Sequence, residues 1–194
     1  YLGKVKFLSM HVGVRWHVLD PWSAHQAVKE VGENDTAYVA RVMKKVRALV
    51  SETRTLMEVV THVATANGPG TGGRPKMFTT GNAFGSGAFE RFTDYGICVA
   101  RTGWLTDMLN GTIDDDGGPR SISKATIRNA LMEPRFTFAD GTLPSEHMII
   151  SVDKIRRQPD MGVRGAHAFV LDQTSNTLHA DMAATALLRS FWRF

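Results

Sequence analysis

The chain is poor in several of the features that build catalytic and membrane-spanning machinery. It has one cysteine, Cys98, in 194 residues, which excludes an internal disulfide and fits a reducing interior. Cys98 lies within the apolar run Ile97-Cys-Val-Ala100 and reads as a plain core residue. No apolar run approaches the roughly 20 residues that a membrane-spanning helix needs, so a soluble chain is expected. Seven histidines are present, but no two are spaced i and i+4, and with a single cysteine they make no ligand pattern. His147 and His167 border predicted strands and read as hydrogen-bonded, half-buried imidazoles. There is no Gly-x-Ser-x-Gly elbow to expose a nucleophile on a strained turn. The glycine-rich residues 67–75 lack the Gly-Lys-Ser/Thr ending of a phosphate loop and read as a connector. Asp114, Asp115 and Asp116 offer oxygen to a hard cation, but with no further ligand pattern around them they read as an exposed turn.

The residues that are present suit one folded core. A hydrophobic content of 43% over this length favours one domain spanning residues 1–194. The net charge of +4 is a mild excess that permits a polyanionic partner without demanding one.

Extended runs alternate with amphipathic ones. Residues 14–19 read as a strand, and Pro21 and Ser23 open a helical turn through Ala24, Ala27, Val28 and Val31. Asp35 or Thr36 starts the longest periodic segment, with Val39, Val42, Met43, Val46, Leu49, Val50, Leu56, Met57, Val60 and Val63 on one stripe. This predicts one long helix ending near Asn67. Arg41, Lys44 and Lys45 lie off the stripe and read as a solvated face, with an RNA-facing patch as the second reading. Residues 76–80 form a short extended run. Asn82 then caps a helix carrying Ala88, Phe89, Phe92 and Tyr95, with Gly96 as its C-cap. The strand 97–100 completes a βαβ unit. Further strands are expected at 148–152 and 168–171, a short helix at 121–132 and a terminal helix at 180–191. Strands of continuous apolarity are those of a parallel sheet covered on both faces.

Arg101, Trp104, Leu105, Met108 and Leu109 resemble the Arg-Trp-Leu-Gly-Gly-Met-Leu-Thr-Asn signature of the small-subunit ribosomal protein S-two family. The segment 76–81 is similar to that family's strand ending in Gly-Thr, residues 147–153 to its strand ending in Asp, and Asp172, Thr174 and Asn176 to its Asp-Thr-Asn turn. The match departs from the signature where Thr102 and Gly103 are inserted and where Thr106 and Asp107 replace the glycine pair. The resemblance implies a three-layer α/β/α, flavodoxin-like domain with a five-stranded parallel sheet of order 2-1-3-4-5. A long extra helix and a reduced insertion at 114–143, in place of the family's helical hairpin, complete the expected α/β fold. It also implies a structural role in the small subunit of a mitochondrial ribosome, with the plastid as alternative. The implied partners are ribosomal RNA and neighbouring ribosomal proteins, with no catalytic residue, cofactor, metal, small-molecule substrate or membrane. Arg74, Lys76 and Arg101, beside strand ends, and Arg120, Lys124 and Arg128, on the reduced insertion, are the candidate RNA contacts. Trp104, Leu105, Met108 and Leu109 are expected to pack.

A rival reading comes from Thr80-Gly-Asn-Ala-Phe-Gly-Ser-Gly87, which fits the Thr-Gly-x-x-x-Gly-x-Gly turn of the NAD(P)-dependent short-chain dehydrogenases. Those enzymes use a Tyr-x-x-x-Lys pair, and none of Tyr1, Tyr38 and Tyr95 has a lysine four residues on.

Overall fold

The computed structural model describes residues 1–25, 29–62, 79–83, 86–110, 123–156 and 164–191. The described residues within 1–66 and 80–93 form one compact unit, and those within 67–79 and 94–194 form another.

The first unit opens with α1 (Leu2–Phe7), which runs into a wider π-helical stretch, Leu8–Val12, and stops at Gly13 in the left-handed region, φ 82°. Strand β1 (Trp16–Leu19) follows, then the short 3-10 turn Trp22–His25. Helix α2 (Asp35–Thr53) starts where Asn34 accepts a hydrogen bond from the Ala37 backbone N–H at 2.9 Å, satisfying an otherwise orphaned donor. It buries Val39, Met43, Val46 and Leu49 of the stripe read from the sequence, and Tyr38 besides, while Val42 and Val50 are only partly buried. That stripe does not continue to residue 63 as expected. Arg54 takes a left-handed conformation, φ 52°, and ends the helix. Strand β2 (Leu56–Val59) then pairs in parallel with β1, with Trp16 opposite Leu56 and Leu19 opposite Val59. The βαβ unit is therefore β1-α2-β2. Of the expected strand at 76–80, residues 76–78 lie outside the described residues, and Thr80 belongs to the 3-10 turn Thr80–Asn82. Helix α3 (Ser86–Phe92) brings Ala88 and Phe89 into a core with Leu19, Trp22, Tyr38, Val39 and Met43. Trp22 meets the Phe89 ring edge-on at 5.2 Å, a favoured aromatic geometry.

The second unit holds β3 (Tyr95–Thr102), α4 (Trp104–Asn110), α5 (Lys124–Ala130), β4 (His147–Ile155), β5 (Gly165–Asp172), β6 (Thr177–Ala180) and α6 (Met182–Phe191). Its sheet has the order β3-β4-β5-β6, and every neighbouring pair is antiparallel. This overturns the flavodoxin-like fold. The expected five-stranded parallel sheet of order 2-1-3-4-5 is replaced by a two-stranded parallel sheet and a separate four-stranded antiparallel one. Residues 156–164 alone separate β4 from β5, fewer than the dozen or more that a parallel crossover requires. β6 occupies part of the region read as terminal helix, which begins only at Met182.

Leu105, Met108 and Leu109 of α4, Ala130 of α5 and Ala183, Ala184, Leu187 and Leu188 of α6 pack on Ile149, Ala166 and Ala168 of the sheet. The small alanines on β5 allow α6 to lie close. These helices cover one face, the one carrying Ala100, Ile149, Ala168 and Val170.

Candidate functional site

A groove of about 530 Å³ opens at the end of the antiparallel sheet where β3 and β5 finish and β4 begins. Its outer wall is the loop ahead of β4. There Phe138 N–H donates to Thr142 O at 2.9 Å and Gly141 N–H to Phe138 O at 2.9 Å. This tight reversal needs the positive φ of Gly141, 82°. Asp140 accepts from the Thr142 backbone N–H at 2.9 Å and from its hydroxyl at 2.7 Å, and these bonds hold its carboxyl below the usual range. Asp172 opens the hairpin between β5 and β6. It accepts from the Ser175 hydroxyl at 2.8 Å and the Thr174 backbone N–H at 2.9 Å, and its carboxyl is lowered for the same reason. Glu146 adds a third carboxylate to the lining, while Arg101 is the sole guanidinium among the described lining residues and stands 3.9 Å from Glu146. The groove thus carries three carboxylates against one cation.

His147, at the floor of the groove, belongs to a buried network. Its Nδ1 lies 2.7 Å from the Thr106 hydroxyl and its Nε2 lies 3.0 Å from Asp181 Oδ2. Burial tends to raise the Asp181 carboxyl, but the bonds from His147 and the Ala184 backbone N–H outweigh it and leave it below the usual range. Hydroxyl, imidazole and carboxylate follow the order of a nucleophile, base and orienting acid. Thr106 is only 3% exposed, however, and His147 and Asp181 only 1% and 0%, so a substrate carbonyl has no approach. The arrangement instead ties α4, β4 and the N-terminus of α6 together. Asp181 Oδ1 accepts from the Ala184 N–H at 3.0 Å, and the Thr185 hydroxyl both donates to Asp181 O and accepts from the Ala168 N–H.

Among the other residues singled out from the sequence, Lys124 and Arg128 are exposed on α5, whose first turn is capped by Ser123. Arg74, Lys76 and Arg120 lie outside the described residues. Leu105, Met108 and Leu109 are buried, with Trp104 packed beside them. The turn beginning at Thr80 leads into α3 at Ser86, and Phe84 and Gly85 lie outside the described residues. Cys98 is half-buried rather than enclosed, and burial with the neighbouring Asp153 carboxylate pushes its thiol up to about 12. Among the described residues no cluster of three His, Cys, Asp or Glu is placed to hold a metal, and no helix is long and apolar enough to cross a membrane.

The basic face of α2 divides into two parts. Arg41 makes a bidentate pair with Glu33, at 2.8 and 2.7 Å, that holds Glu33 down at about 2 and occupies the guanidinium. Lys44, Lys45 and Arg47 are exposed beyond it. No carboxylate lies one turn away on either side of Lys44 or Lys45, where Ala40, Arg41, Arg47, Ala48, Val42 and Leu49 stand. No family model matches this chain. No curated protein matches it either. The sequence reading missed the acid-lined groove and the Thr106-His147-Asp181 network, whose parts lie 41 and 34 residues apart in the chain.

Proposed function

We propose that this chain is a structural, RNA-binding component of a small ribosomal subunit, of the mitochondrial type, that meets ribosomal RNA and neighbouring ribosomal proteins. The observation that carries the reading is the exposed pair Lys44 and Lys45 on α2, which has no carboxylate one turn away along the helix. A rigid row of cations on a 19-residue helix suits phosphate contacts that position without reading bases. The Arg101, Trp104, Leu105, Met108 and Leu109 signature supports the same reading, now as a likeness of sequence and not of sheet topology. Lys124 and Arg128 add a second exposed basic site on α5. Arg101, standing among carboxylates, contributes less to phosphate binding than its place in the signature implied.

A net charge of +4 is modest, so incorporation depends on assembly with neighbours and not on affinity for free RNA alone. The test is Lys44→Glu with Lys45→Glu, expressed in cells and followed through sucrose gradients. The wild-type chain is expected to co-sediment with small subunits, and the folded double variant to be depleted from them. A wild-type chain absent from small subunits overturns the ribosomal reading, and a folded variant that co-sediments fully overturns α2 as the RNA contact.

A further inference from the structure

The sheet of the second unit has a second face, aligned across the strands by register. Ile97 lies opposite Val152, Val99 opposite Ile150, Arg101 opposite Met148, Met148 opposite Phe169 and Leu171 opposite Leu178. An antiparallel sheet with one face in water ordinarily alternates apolar inward with polar outward. Here most of the outward residues are apolar as well, interrupted by exposed Arg101 and by His167, which lies opposite Ile150 and meets Arg189 of α6 at 3.1 Å, and no described helix of the unit packs on the apolar ones. Ile97 is 64% exposed, Val99 60% and Leu178 44%. Contiguous exposed apolar surface of this kind marks an interaction site.

We propose that this face, together with the acid-lined groove at its end, seats an amphipathic helix of a partner protein whose lysine or arginine side chain enters the groove. Arg101, Met148 and Leu171 belong to both the face and the groove, so one ligand spans them without a break. Charge selects the occupant. Asp140, Glu146 and Asp172 outnumber Arg101, and both aspartates are held below the usual carboxylate range, so they are ionised at neutral pH. A nucleic acid would set its phosphates against these carboxylates, with Arg101 the one Lys or Arg among the described residues lining the groove, whereas a basic side chain meets opposite charge. Phe138, Met148 and Leu171 line the same groove and accommodate the aliphatic stem of such a side chain while its head reaches the carboxylates. The proposal is independent of the α2 surface, because its test contains no ribosome.

The experiment is fluorescence anisotropy with the full chain and two synthetic amphipathic helices of leucine, alanine and glutamine, identical except that one ends in arginine and the other in norleucine. The arginine peptide is expected to bind at least about tenfold tighter, the effect of one charge-assisted hydrogen bond. Asp140→Asn with Asp172→Asn is expected to abolish that difference and leave the norleucine peptide's affinity unchanged. Val99→Gln on the sheet face is expected to weaken both peptides. Equal binding of the two peptides, no binding of the arginine peptide, or indifference to Val99→Gln overturns the proposal. A dimer in sedimentation equilibrium that Val99→Gln dissociates, or a single-stranded oligouridylate displacing the peptide, also overturns it by giving the face to a second copy or to RNA.

Discussion

At the scale of single residues, the Asp181 carboxylate carries the most consequence. It receives hydrogen bonds from His147 and the Ala184 N–H in a site where its own exposure is 0%. Asp181→Ala removes the helix cap and leaves a buried imidazole without its partner, and a loss of about 3 kcal/mol is expected. Urea unfolding at pH 7 measures it, and a loss within experimental error of zero would remove the network from the list of structural supports. The same carboxyl makes stability depend on pH. Its folded pKa lies below the ordinary 3.8, so its contribution is complete above that value and is lost as pH falls through the folded one. The urea midpoint should therefore drop below about pH 4 in the wild type and drop less in Asp181→Asn, which has no proton to gain. Nothing in the local sequence announces this network. Thr106 is one polar residue within α4, His147 begins β4 and Asp181 follows β6, and only the packed structure joins them.

Helix α2 shows how far local rules reach among the elements. Asn34 as cap, Asp35 in the first turn and the stripe through Leu49 specify where it starts and which face it buries. Its end was not legible, because Leu56 and Met57 keep the helical spacing after Arg54 has left the helix. The left-handed φ of 52° at Arg54 predicts an outcome of its own. Arg54→Gly should stabilise the chain by roughly 0.5–1 kcal/mol, since glycine adopts that conformation without the Cβ penalty. Arg54→Val should destabilise it. Thermal unfolding of the two variants checks both signs, and a destabilised Arg54→Gly would mean that the arginine side chain contributes more than the backbone conformation costs. In the antiparallel sheet, the same apolar runs that identified β3, β4 and β5 as strands concealed their direction. Continuous apolarity says that both faces are to be covered, and it is silent on whether a helix of this chain or another molecule covers the second.

For the molecule as a whole, the distribution of charge says more than its sum. The exposed cations of α2 and the carboxylates of the groove occupy different units. Binding to ribosomal RNA should accordingly fall with salt. Lys44→Gln with Lys45→Gln should reduce the slope of log affinity against log salt by about one per lysine removed, whereas Asp140→Asn with Asp172→Asn should leave it unchanged. Filter binding to small-subunit RNA over a salt series distinguishes these outcomes, and an unchanged slope in the lysine variant would place the phosphates elsewhere. By itself the sequence determined the start of α2 and the approximate place of α5, α6 and the three long strands, because these follow from the spacing of apolar side chains over a few residues. The tertiary structure alone decided the antiparallel order, the short β2 and β6, the face that no described helix covers and the meeting of Arg101 with Asp140, Glu146 and Asp172. Each of these depends on which distant segments lie side by side, and a local pattern of apolar and polar residues is compatible with more than one such pairing.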